Sequence, residues 1–168
     1  MGELWELYDK DKNKINKIVK RGDKLNDDEF HIVVNVWIKN KNNEFLITQR
    51  SINKSFPLIW ETTGGSALLG EDSIDAAIRE VKEELNISLK KEDAKLIGTT
   101  LRYFENCPDI LYVYLFESNC DISEIKIQEE EVNDVMWATK DDAERYSKYC
   151  SELSRVKFKE NLKVNLFI

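Results

Sequence analysis

The spacing of apolar and polar positions changes several times along the chain, and each change predicts an element. His31–Ile38 (HIVVNVWI) is rich in β-branched and aromatic residues, which predicts a strand at the centre of a sheet. Asn40-Lys41-Asn42-Asn43 has turn composition, and Glu44–Gln49 (EFLITQ) returns as the next strand. Residues 51–71, punctuated by Pro57, Gly64, Gly65 and Gly70, read as a loop. A helical period follows: Ile74, Ala77, Ile78, Val81 and Leu85 form one stripe. Asp72 is placed to cap its start, with Asp75 a shorter substitute for the glutamate of a capping box. Asn86 suits the left-handed position after its end. Leu96–Tyr103, Ile110–Phe116 and Val132–Thr139 read as strands. Thr139 and Asp142 can cap a helix from Lys140 to about Tyr149, and Ser151–Leu162 has a helical pattern of its own. Near the start, Leu4, Leu7, Ile15 and Ile18 flank the polar DKDKNK as in a β-hairpin, although KINKIVK equally suits a short helix.

Strands interleaved with two or three helices make a mixed α/β domain, and 168 residues suit one such unit with a full core. Charged residues make up 34% of the chain and hydrophobic ones 42%, the balance of a soluble globular protein. No apolar run approaches the ~20 residues of a membrane helix, so no membrane association is expected. The N-terminal MGELWELYDKDKNK lacks the apolar core and cleavage site of a secretory signal. Cys107, Cys120 and Cys150 are far apart and odd in number, which suits reduced thiols in a cytoplasm. A net charge of −7 without a basic cluster argues against a nucleic-acid polymer as partner.

Candidate chemistry is concentrated on the predicted helix. At about 100° per residue, Glu80, Glu83 and Glu84 share one face, with the apolar stripe centred about 120° away. Like charges at these spacings cost roughly 0.2–0.5 kcal/mol per pair. A hard divalent cation turns that cost into binding, since Mg²⁺ takes carboxylate oxygens and is often shared with a substrate's phosphates.

The spacing Gly65-x5-Glu71-x7-Arg79-Glu80-Val81-x-Glu83-Glu84-x-Asn86-Ile87 resembles the Nudix box, GX5EX7REUXEEXGU with U aliphatic. Asn86, in place of the last glycine, is the one departure, and asparagine tolerates the backbone geometry that glycine supplies. The resemblance implies an α/β/α sandwich with a mixed sheet and an N-terminal β-hairpin. It divides a single Nudix domain into a hairpin extension (1–28), a core (29–150) and a C-terminal helical segment (151–168). It also implies Mg²⁺, with Mn²⁺ as a substitute, held by Glu80, Glu83, Glu84 and a backbone carbonyl at Gly64 or Gly65. Arg79 would orient a glutamate, Glu71 would support Arg79, and the general base would be Glu80 or a glutamate outside the box. The implied reaction is hydrolysis of a small-molecule diphosphate, a nucleoside diphosphate derivative being the leading class.

Outside the box, Glu131 is the candidate for a further ligand or base, though a solvated acidic loop explains it equally. Arg50 and Glu61 are candidates for substrate contact, against a plain solvent-facing role for Arg50. His31, the single histidine, is a candidate against a structural role. The segment from His31 to Asp72 also resembles the branch related to isopentenyl-diphosphate isomerase. Aligned on Trp60, the isomerase's catalytic cysteine falls on Gly64. Its later acidic pair falls on Asp109 and Leu111, and its metal-binding histidine corresponds at best to His31. Isomerisation and a non-catalytic diphosphate-binding module are therefore the alternatives to hydrolysis. A homodimer paired through the hairpin is a further expectation.

Overall fold

The computed structural model describes residues 2–153, with side chains to residue 146. The C-terminal segment expected as a separate helical stretch lies largely outside the described residues.

The N-terminal hairpin pairs β1 (Leu4–Tyr8) with β2 (Lys14–Lys20), so the helical alternative for KINKIVK does not occur. Trp5, Leu7, Val19 and Leu25 form a small core beneath it, against Cys107. The hairpin thus buries Trp5, Leu7 and Val19 on its own chain while Leu4 and Ile18 stay exposed, and Tyr8 bridges to Phe30 at the entrance to the sheet.

The main sheet contains β3 (His31–Lys39), β4 (Phe45–Arg50), β5 (Trp60–Glu61), β6 (Thr63–Ser66), β7 (Lys95–Arg102), β8 (Asp109–Glu117) and β9 (Val132–Ala138). β3 is central, as its apolar run predicts. One edge pairs in parallel with β8 along its full length, from His31↔Asp109 to Lys39↔Glu117. The other edge is divided. Ile38 and Lys39 pair with β4, whereas Val33–Val36 pair with β6. β4 therefore splays from β3, and the short strands β5 and β6 fill the wedge. The sequence reads this region as loop; two adjacent glycines weaken any strand pattern there, and tertiary pairing makes the strand. β9 covers the far edge of β4 in antiparallel register.

Residue parity on β3 and β8 splits the core. Ile32, Val34, Val36 and Ile38, with Ile110, Tyr114 and Phe116, face α1 (Ser73–Leu85). Trp37 and Val113, with Phe45, Ile47 and Ala138, lie on the opposite face with Ala143 of α2 (Lys140–Leu153). A mixed sheet with a helix on each face is the α/β/α sandwich expected. Among the described residues no helix is long and apolar enough to cross a membrane.

Both ends of α1 follow the sequence signals. Asp72 is extended (φ −88°, ψ 174°) and its Oδ1 accepts from the Asp75 amide at 2.8 Å. Asn86 is left-handed (φ 56°, ψ 21°), and its amide donates to the Lys82 carbonyl. Asp75 does not complete a capping box, because its carboxylate turns outward to Lys91. At the start of α2 the Thr139 hydroxyl accepts from the Asp142 amide and donates to the Asp142 carboxylate. That helix runs past the expected end at Tyr149 to Leu153, into the segment read as separate.

Candidate active site

α1 packs against β6, and the contact depends on glycine. A Cβ at Gly65 would overlap the Glu80 carboxylate, and one at Gly64 would overlap the carbonyl oxygen of Val34 on β3. The Gly64-Gly65 pair thus lets a helix carboxylate and a strand backbone approach closely.

Arg79 organises the acidic face. Its Nε donates to Glu71 Oε1 at 2.7 Å and its Nη2 to Glu71 Oε2 at 3.1 Å. Nη1 donates to Glu80 Oε1 (3.0 Å) and Glu83 Oε2 (2.8 Å), and Nη2 also reaches the Ser66 carbonyl (2.9 Å). Glu71 in turn accepts from the Leu68 amide at 2.8 Å, which ties the loop before the helix to the same guanidinium. Burial works against the charge on Arg79, but the bonds to Glu71 and Glu83 and the charges of Glu80 and Glu71 outweigh it and keep it protonated.

The three glutamates differ sharply in environment. Glu83 is half exposed (52%), Glu80 mostly covered (15%) and Glu84 buried (7%). Burial raises the proton affinity of Glu80, with Arg79 opposing. Glu84 is pushed up to about 8, chiefly by burial; Lys54 opposes this, and the charges of Glu80, Glu61 and Glu131 add to it. Lys54 Nζ lies 3.9 Å from Glu84 Oε1, beyond hydrogen-bonding distance, and 2.5 Å from Glu131 Oε2. Glu131 is thereby brought to the edge of the cluster, its carbonyl accepting from the Ser51 amide.

Arg50 is committed elsewhere. It pairs with Glu61 at 2.6 Å and donates from Nε to the Ser55 carbonyl at 2.8 Å, so it braces the loop. His31 is 4% exposed and stacks on Trp5 with centroids 4.0 Å apart. Its Nε2 lies 3.5 Å from Cys107 Sγ, while burial and the charge of Arg102 lower its pKa to about 4. Nδ1 of His31 and Nε1 of Trp5 are buried without a hydrogen-bond partner. Asp109 is held by both Nε and Nη2 of Arg102 at 2.7 and 2.8 Å. His31 and Asp109 thus sit in a packed region under the hairpin. Lys54 is the site residue that sequence reasoning missed; nothing local relates it to a glutamate thirty positions later.

The carboxylates fit a hard divalent cation. Glu84 is buried among like charges with no donor at bonding distance from its neighbouring ammonium, and Gly65 leaves room for Glu80 beside the β6 backbone. Among the described residues no three acidic, histidine or cysteine side chains are gathered closely enough in the metal-free chain to hold an ion between them, so the fit rests on donor chemistry and charge. Carboxylate oxygens suit a hard divalent cation that retains water and shares substrate phosphates.

Comparison with known proteins agrees with this architecture. A family model for the NUDIX domain matches residues 29–158. An uncharacterised Nudix hydrolase of Listeria monocytogenes is 34% identical over 145 residues, spanning 84% of this chain and 83% of that protein. The isopentenyl-diphosphate Delta-isomerase of Shigella boydii is 27% identical over 115 residues, 64% of this chain and 60% of that protein. A solved structure from Deinococcus radiodurans shares the fold, with a TM-score of 0.67 at 22% identity, over 91% of this chain and 98% of its own. The chain belongs to the Nudix family. Within that family it is a Nudix hydrolase, a class that generally cleaves phosphoanhydride bonds of nucleoside diphosphate derivatives with the help of divalent metal cations.

Proposed function

We propose that this protein is a Mg²⁺-dependent hydrolase of a small-molecule diphosphate, with a nucleoside diphosphate linked to a second group as the substrate class. The observation that carries this reading is the buried Glu84 beside the Arg79-ordered Glu80 and Glu83, all next to the Gly64-Gly65 strand. Glu80, Glu83 and Glu84, with a carbonyl of the glycine pair, would hold the ion. When bound, Mg²⁺ neutralises charge on the phosphoryl oxygens and lowers the pKa of an attached water.

The chain's own residues supply the rest. Glu71 fixes Arg79, and Arg79 fixes the carboxylates, so the acidic face is ordered before substrate arrives. Glu80 accepts a proton from the attacking water on the oxygen that Arg79 leaves free for it, its raised proton affinity suiting a base. The water oxygen bonds to phosphorus, the bridging P–O bond breaks, and its electron pair leaves with the departing phosphate.

Isomerisation of an allylic diphosphate has no support at position 64. A cysteine there would place its Cβ on the Val34 carbonyl oxygen, so the strand pair would have to shift to admit it. The net charge of −7 favours a small metal-bound anion over a nucleic-acid polymer. Free thiols at Cys107 and Cys120 favour a reducing, cytoplasmic setting.

The test is incubation of purified protein and Mg²⁺ with a panel of nucleoside diphosphate derivatives, nucleoside triphosphates and prenyl diphosphates. The expected result is metal-dependent release of phosphate or a nucleoside monophosphate. NMR-detected conversion of isopentenyl diphosphate to dimethylallyl diphosphate at an enzymatic rate would overturn the proposal.

A further inference from the structure

The loop between β4 and β5 folds Lys54 back over the acidic cluster. Lysine is ordinarily among the most exposed residues, yet the Lys54 side chain is only 22% exposed. Its ammonium lies 2.5 Å from Glu131 Oε2 and 3.9 Å from Glu84 Oε1, between the segment before β9 and the last turn of α1.

The loop is braced to aim it there. Arg50 holds the Ser55 carbonyl and Glu61. The Leu58 amide returns to the Arg50 carbonyl, the Ser51 amide is fixed to the Glu131 carbonyl, and the Lys54 amide closes on the Ser51 carbonyl. Phe56 (φ 54°) and Leu58 (φ 61°) are both held in the left-handed region that non-glycine side chains avoid. A chain bent this way to bring an ammonium onto two carboxylates is not a solvated lysine.

We propose that Lys54 is a tethered counter-cation for the metal site, paired with Glu131 and set beside Glu84 in the metal-free protein and displaced from both when the divalent ion binds. The proposal rests on the reading of Glu84 as a ligand. One ammonium and one divalent ion compete for the same carboxylates, and a positive charge close to the incoming ion repels it. Lys54 therefore weakens metal binding while offsetting the charge of Glu131 at the edge of the empty site. It is a positioning residue for the carboxylates and takes no proton in the reaction.

The experiment compares the full chain as wild type, Lys54→Met and Lys54→Arg. Mn²⁺ binding is read from the electron paramagnetic resonance signal of the free ion, and melting temperature is measured with and without Mn²⁺. Lys54→Met is expected to bind Mn²⁺ about five- to ten-fold more tightly, the size of effect a nearby screened charge exerts. It should melt lower than wild type in chelator, with the gap closing in Mn²⁺. Lys54→Arg, which retains the charge, should resemble wild type. Unchanged or weaker Mn²⁺ affinity in a folded Lys54→Met protein overturns the proposal, as does an equal loss of melting temperature with and without the ion. No Mn²⁺ binding by wild type would instead overturn the assignment of the metal site, and the proposal with it.

Discussion

Glu84→Gln separates the role of this side chain in the fold from its role in the site. In the unfolded chain a glutamate ionises at its ordinary value near 4.5, whereas metal-free folded protein holds the Glu84 proton up to about 8. Between those values the native state binds more protons than the unfolded state, so this residue makes stability fall as pH rises. The penalty is absent below about 4.5 and complete above about 8. A shift of that width, at 1.36 kcal/mol per unit, corresponds to at most ~5 kcal/mol. Glutamine keeps the shape and cannot ionise, so Glu84→Gln removes the penalty. In chelator, guanidinium unfolding at pH 5 and pH 8.5 should show a decline for wild type that the variant largely lacks, leaving the variant the more stable protein at pH 8.5. Other carboxylates with raised proton affinity, Glu80 and Asp109, are present in both proteins, so the difference reports Glu84 together with its charge coupling to Glu80. Saturating Mg²⁺ should reverse the order by stabilising wild type alone, and turnover of the variant should fall by orders of magnitude. Equal pH slopes in the two proteins, or unimpaired turnover by folded Glu84→Gln, would refute the reasoning.

Arg79→Ala should cost both turnover and roughly 2–3 kcal/mol of stability, because it strands covered Glu71 and Glu80 without their partner; steady-state kinetics and denaturation check this, and an intact rate would return Arg79 to an ordinary surface role. Gly64→Ala should destabilise by roughly 1–3 kcal/mol as its Cβ meets the Val34 carbonyl, a result measured by denaturant midpoint and contradicted by wild-type stability. His31 has the opposite pH sign to Glu84: its folded value near 4 lies below the ordinary 6.5, so its contribution is complete above 6.5 and lost as pH falls to 4. At 1.36 kcal/mol per unit the loss is ~3 kcal/mol. Since His31→Phe keeps a ring on Trp5 without the charge, the variant should lose less stability between pH 7 and pH 4.5 than wild type does.

What the sequence determined is what depends on neighbours along the chain. The limits of α1 were legible because Asp72 and Asn86 act on amides a few residues away. β3 and β8 were legible because their side chains suit a strand wherever it is placed, and the glutamate spacing fixes a shared helix face before any packing occurs. Tertiary structure decided the rest. β6 is a strand because Gly64 and Gly65 find Asn35 and Val34 across thirty residues, not because glycine favours strands. Periodicity puts Glu80, Glu83 and Glu84 together but cannot say that Glu84 points inward while Glu83 stays in water; that follows from the segment at 126–131 closing over the end of the helix. The bonds of Arg50 to Glu61 and Ser55 could not be read from its place at a strand end, and Lys54, unmarked in the sequence, lies beside two carboxylates. Propensity and periodicity are short-range properties of a chain, whereas burial and charge pairing depend on which distant segments the core brings together.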